Sequence, residues 1–316
     1  MTRSAPVAPG LIITLGETAP VERVVDRHIA TLRAIRPDVV MLHTYPGPED
    51  APTIAKVRAA VPGVRVWIQA PANTLAGGTE ANAVARAAGW ARAAAALGVE
   101  ALVLNGEMSS GGDPPRPGWD AKTGAEATAK GKRLAKIFAA MAAVPGCPVL
   151  GWSSHDRIER LSRSVWRAAL GPGSPVRLHP PQTYSAPLGR AGIAKRSSTR
   201  ARIAAHAKSF AVGVPVDVRA DLVQGGAGWV PYGQMHHHET AATCALLDAA
   251  PLAALWTLSE DTESADAAGI LAARADAELR RRVGHEPGRV ARYQASAGLV
   301  ADGVVGPRTL AALGVA

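Results

Sequence analysis

Residues able to do chemistry recur at one kind of place in this chain, directly after short apolar runs. Glu107 follows the run 101–105 with Asn105 and Gly106 between, and the glycine-containing stretch 108–112 comes after it. Tyr45 follows 39–43, Gln69 closes 64–70, and His155 follows 148–152. Gln182 lies near the end of 176–183 with Tyr184 just after it, Asp221 sits near the end of 214–222, and Trp256 lies in 252–258. Two carboxylates set against amides, phenols, an imidazole and an indole suit a polyhydroxylated substrate. Carboxyl groups protonate a leaving oxygen and assist at carbon. Amides and phenols hydrogen-bond hydroxyl and N-acetyl groups, and an indole offers a flat apolar face to a sugar ring. A Glu beyond an apolar strand is a natural general acid, since partial desolvation raises its pKa.

Those residues need a scaffold that gathers strand ends. Eight short apolar runs (11–15, 39–43, 64–70, 101–105, 148–152, 176–183, 214–222, 252–258) alternate with amphipathic stretches. The latter predict helices at 21–35, 50–60, 79–97, 125–143, 156–169, 197–210, 238–249 and 266–283. Such alternation predicts an α/β fold, a (β/α)8 TIM barrel, whose chemistry sits at the C-terminal strand ends. A doubly wound open sheet would want a glycine-rich phosphate turn after the first strand, and Gly16-Glu17-Thr18-Ala19 is not one. Side-chain parity agrees with a barrel. Leu102 and Leu104 share the side expected to meet helices; Val103, Asn105 and Glu107 share the inward side.

Composition narrows the class. The 316 residues are 47% hydrophobic and 19% charged, which excludes wholesale disorder. No run of 18 apolar residues predicts a membrane span. The N-terminal ten residues lack the apolar core of a secretory leader, so synthesis in the cytoplasm is expected. Two cysteines, Cys147 and Cys244, cannot staple a chain this long and are expected to be reduced thiols. A net charge of +9 favours anionic partners. The basic run from Arg190 to Lys208 has no interleaved aromatics, so it reads as a solvated helix face and no nucleic-acid partner is expected. Trp119 and Trp229, in glycine-rich loops, are the stacking candidates outside the strands.

The tail has a pattern of its own: Val290, Tyr293-Gln294, Gly298-Leu299, Asp302-Gly303, Val305-Gly306 and Thr309-Leu310. It resembles the second half of the small helical peptidoglycan-binding module of cell-wall hydrolases. The match spans about a tenth of the chain, a truncated copy unless 267–283 supplies the missing half. The expected organisation is a barrel over 1–284 and a helical tail over 285–316, reaching back to 267 if the module is whole.

Residues 11–261 resemble TIM-barrel glycosidases on three features: Glu107 at the fourth strand end, Gln182 with Tyr184 at the sixth, and Trp256 at the eighth. Together the two resemblances imply a peptidoglycan hydrolase similar to phage endolysins. Such a protein acts at the bacterial wall and reaches it through a phage pore or tail structure. The resemblance implies Glu107 as general acid and Asp221 as second carboxylate. Tyr45, Gln69, Asn105, His155, Gln182, Tyr184, His236 and Trp256 would bind the N-acetylated glycan, with no metal and no cofactor. Two alternatives stay open. One is a non-catalytic wall-binding protein with a degenerate barrel. The other is a metal-dependent amidase using His236, His237 and His238, although the zinc spacing H-E-x-x-H is missing because position 242 is Ala.

Overall fold

A computed structural model describes residues 11–16, 20–37, 39–106, 117–121, 123–154, 163–170, 173–178, 232–235, 253–258, 275, 278–279, 282–284, 288–303 and 307–314. Its centre is an all-parallel sheet with helices packed on it, an α/β architecture. The strands are β1 (Leu11–Leu15), β2 (Val39–His43), β3 (Arg65–Pro71), β4 (Ala101–Gly106), β5 (Val149–Ser154), β6 (Tyr232–Met235) and β7 (Ala253–Leu258). The main helices are α1 (Val21–Ile35), α2 (Ala51–Ala60), α3 (Asn73–Ala76), α4 (Glu80–Ala96), α5 (Gly124–Ala142) and α6 (Arg163–Leu170). The seven described strands lie in the order β5-β4-β3-β2-β1-β7-β6, so β1 takes the last strand on the edge opposite β2. A parallel bridge from Gly151 to Leu178 adds the start of the expected run 176–183 beyond β5.

Parity along the strands builds two cores. Ile13, Leu15, Val40, Leu42, Val66, Ile68, Leu102, Leu104, Leu150 and Trp152 join the helices in one. Val39, Met41, Trp67, Ala101, Val103 and Leu178 form the other, on the opposite face of the sheet. Val103 thus lies on the face away from the helices, opposite Leu102 and Leu104. The helices read as their sequences require. In α1, Val21, Val24, Val25 and Leu32 are buried while Glu22, Arg23, Asp26 and Arg27 stay exposed. Thr79 caps α4 by accepting the Asn82 amide at 3.3 Å, and Thr123 caps α5 by accepting that of Glu126 at 3.1 Å. Gly131 lets α5 meet α6, because a Cβ there would lie 2.6 Å from the Ser164 carbonyl oxygen.

One strand differs from expectation. The place beside β7 is held by Tyr232–Met235, not by 214–222, which lies outside the described residues. The alternation in 214–222 outweighs the short, glycine-containing 232–235 in any reading by pattern. The pairing with β7 selects the weaker-looking segment.

Near the C-terminus, α7 (Arg289–Ser296) and α8 (Pro307–Leu313) share a core with earlier helical residues. Ala275, Leu279, Val290, Tyr293 and Leu313 are buried together, with Val283 and Leu310 packed against them. Gln294 is the polar hub. Its Nε2 donates to Asp302 Oδ1 at 2.8 Å and Thr309 Oγ1 at 3.1 Å, and its Oε1 accepts from the Gly303 amide at 2.9 Å. The Tyr293 hydroxyl donates to the Ala312 carbonyl at 2.7 Å. The pattern residues Tyr293, Gln294, Asp302, Gly303 and Thr309 therefore hold the helices to one another. Among the described residues no helix is long and apolar enough to cross a membrane.

Candidate functional site

The register of the sheet fixes which residues meet at the C-terminal strand ends. Leu15, Leu42, Ile68, Leu102 and Leu150 lie on one register line. Yet β1 ends at Leu15, β2 at His43, β3 at Pro71, β4 at Gly106 and β5 at Ser154. From β1 to β4 each strand reaches one or two residues further past that line than the one before. A sheet that curls into an eight-stranded barrel of shear 8 staggers by about one residue per strand.

On the face away from the helices the apolar core gives way to polar side chains toward these ends. Thr14, Gln69, Asn105 and Ser153 are all buried, and His43 is half-buried. Gln69 lies opposite His43 and Val103, and Asn105 lies opposite Pro71 and Ser153. The backbone carries the loops upward from the same residues. The Gln69 carbonyl accepts from the Thr44 amide at 3.2 Å, and the Asn105 carbonyl from the Ala72 amide at 2.9 Å. The Arg133 guanidinium holds the loop after α3 by donating to the carbonyls of Ala76 (2.7 Å), Gly77 (3.1 Å) and Gly78 (2.8 Å).

The exit of β4, which leads to Glu107, is shaped by an indole. Gly106 lies against the Trp152 ring, where a Cβ would fall 1.9 Å from Cη2. Trp152 in turn meets Trp119 edge-on at 5.7 Å and Phe138 at 6.1 Å. Trp119 is fully buried and donates from Nε1 to the Ala72 carbonyl at 3.3 Å. It is a core residue on the helix side, not the exposed stacking platform expected from its glycine-rich surroundings. Tyr45 remains 45% exposed, with its ring centroid 5.4 Å from that of Trp90 in α4.

Trp256 is described by its backbone, which lies opposite Ile13 of the helix-side core; Thr257 lies opposite Thr14. Of the other expected site residues, Glu107, His155, Gln182, Tyr184, Asp221 and His236 lie outside the described residues, as do His237, His238 and Trp229. Among the described residues no group of three or more His, Cys, Asp or Glu is placed to hold a metal.

Two features escape a reading by pattern. Thr14 is the one polar residue in LIITL, and its inward position appears only with the register. Asp50, between β2 and α2, is a buried carboxyl whose Oδ2 accepts the Gly47 amide at 3.1 Å. Burial holds its pKa above the usual carboxylate range, helped by the Glu49 charge and opposed by hydrogen bonds from Gly47 and Thr44.

No family model matches the sequence, and no curated protein matches it. Among solved structures, the chain is similar to a glycoside hydrolase family 5 enzyme of Prevotella bryantii in complex with a xyloglucan tetradecasaccharide. The identity is 14% and the TM-score 0.53, over 88% of this chain and 99% of that one. A dihydrodipicolinate synthase of Agrobacterium tumefaciens matches with 14% identity and a TM-score of 0.41, over 97% and 96%. The first likeness is one of fold: the chain shares the overall α/β architecture of that structure.

Proposed function

We propose that this chain is a glycoside hydrolase acting on the glycan of bacterial peptidoglycan, built on a closed eight-stranded barrel. Closure is supported by the climbing strand ends and by β1 pairing with both β2 and β7. The observation that carries the chemistry is the run of buried hydroxyl and amide groups, Thr14, Gln69, Ser153 and Asn105, the last of them two residues before Glu107. Amides and hydroxyls both donate and accept, which matches sugar hydroxyl and N-acetyl groups. Glu107 then protonates the glycosidic oxygen as its bond to the anomeric carbon breaks. Asp221 assists at that carbon, as nucleophile or as base toward water. A separation of about 5–5.5 Å between the carboxyl groups gives retention, and about 6.5–9.5 Å gives inversion. The tail motif supports docking on the wall. An endolysin-like route, through a phage pore or tail structure, delivers the protein there.

Replacing Glu107 with Gln keeps the shape and removes the acid proton. Release of reducing ends from purified peptidoglycan is expected to fall by roughly 100- to 10,000-fold. An unchanged rate overturns the acid assignment. A wild type that releases amino groups and no reducing ends is an amidase instead, and the histidine run 236–238 becomes its candidate centre.

A further inference from the structure

Carrying a level around the barrel interior singles out one ring of side chains. Thr14 lies opposite Met41, and Met41 opposite Trp67. A stagger of about one residue per strand moves the level from Trp67 to Gln69 by β3. Gln69 lies opposite Val103, and Val103 opposite Gly151, so the same stagger reaches Ser153 on β5. In the other direction Thr14 lies opposite Thr257, and Trp256 opposite Met235, which brings the level to the backbone position of Gln234 on β6. Thr14, Gln69, Ser153 and Gln234 thus occupy alternate strands at one height, the arrangement of a barrel layer. It is a polar layer, whereas Met41 and Val103 beneath it belong to the inward apolar core.

Two members of the layer are in an unusual state. The Thr14 Oγ1 and the Ser153 Oγ are buried without a hydrogen-bond partner among the described residues. So is the Trp67 Nε1, one level below. Folded proteins rarely leave buried polar atoms unmet, so each such atom calls for a reason, and a binding role is one. Val in place of Thr14, or Ala in place of Ser153, would fill the same space with no polar atom to desolvate. What folding leaves unmade here, binding can make.

We infer that Thr14 and Ser153, level with Gln69, form the floor of the mouth and take the hydroxyl or amide groups of a bound neutral sugar. The inference rests on the glycan reading above and adds the residues at the bottom of its subsite. None of the described residues of the layer is charged, so it has nothing to pair with a phosphate or carboxylate. Both oxygens are buried, so taking a sugar there requires a side-chain rearrangement at the strand ends.

The test compares full-length wild type, Thr14→Val, Ser153→Ala and the double variant. Thermal midpoints are measured alongside calorimetric binding of the β-1,4-linked N-acetylglucosamine tetramer. The expected result is a midpoint equal to or above wild type with tetramer affinity reduced about 10-fold for each hydroxyl removed. Affinity within twofold of wild type overturns the inference. So does a lowered midpoint accompanying weaker binding, since the hydroxyls would then be structural. Glu107→Gln separates the two readings. If it keeps full activity while the floor variants bind weakly, the acid assignment fails and the floor stands. If it is inactive while the floor variants bind normally, the reverse holds. A wild type that binds no tetramer overturns the floor, and reducing-end release from peptidoglycan then decides the acid assignment on its own.

Discussion

Gly106 and the ring of Trp152 occupy adjoining space so closely that a methyl group on Gly106 would fall 1.9 Å from Cη2. Trp152 cannot retreat, because Trp119 and Phe138 close on it edge-to-face. Replacing Gly106 with Ala therefore has to displace strand β4 where it hands over to Glu107. The expected cost is about 1–3 kcal/mol of stability, measured by chemical unfolding. Loss of reducing-end release should exceed what that destabilisation explains in the fraction still folded at 25 °C. Wild-type stability in this variant would show that the two residues do not constrain each other.

Trp119 makes a second case, because its surroundings suggest a sugar platform and its packing says otherwise. Trp119→Phe removes the hydrogen bond to the Ala72 carbonyl and part of a buried aromatic contact. A destabilisation of about 1–3 kcal/mol is expected, with saccharide affinity unchanged in the folded protein. Calorimetric titration at a temperature well below unfolding checks this. Affinity lost without loss of stability would return Trp119 to the binding surface.

Asp50 gives a pH dependence of known sign. Burial raises its carboxyl pKa in the folded state. Between its ordinary value near 4 and the raised one, the folded protein holds more protons than the unfolded one, so the contribution of Asp50 falls as pH rises. Asn at this position still accepts the Gly47 amide and does not ionise. The thermal midpoint of Asp50→Asn relative to wild type should therefore climb as pH is raised from about 4. A difference that stays constant with pH, or moves the other way, contradicts the assignment.

In the tail, Gln294 satisfies Asp302, Gly303 and Thr309 at once. Gln294→Leu leaves those groups without it, at about 1–3 kcal/mol for each one left buried. Amide exchange over 289–313 should accelerate, while amides of β1 to β5 keep their protection. Uniform acceleration across the chain would mean that the two cores unfold as one.

Much of this was legible in the sequence for a simple reason. Strands buried on both faces still alternate in what they touch, so Leu102 and Leu104 against Val103 and Asn105 could be sorted before any coordinate. The helix predicted over 79–97 likewise begins where Thr79 caps it. What failed was anything decided by distant partners. The segment Tyr232–Met235 has little strand character and earns its place through β7. Trp119 sits in a stretch that looks solvent-facing, but Trp152 and Ala72 draw it inward. The polar layer is invisible to periodicity, since it depends on register and stagger summed over several strands.

The pairing of β1 has a consequence for how the chain is made. One edge of β1 finds β2 within a few dozen residues, but the other waits for β7, roughly 240 residues later. At 5–20 residues per second, that partner emerges on the order of tens of seconds after β1 itself. Throughout that interval a nascent α/β half carries an open, apolar strand edge. Until β7 arrives that edge is open to association with other chains, and a truncated message ending before Ala253 would yield a protein prone to edge-to-edge association.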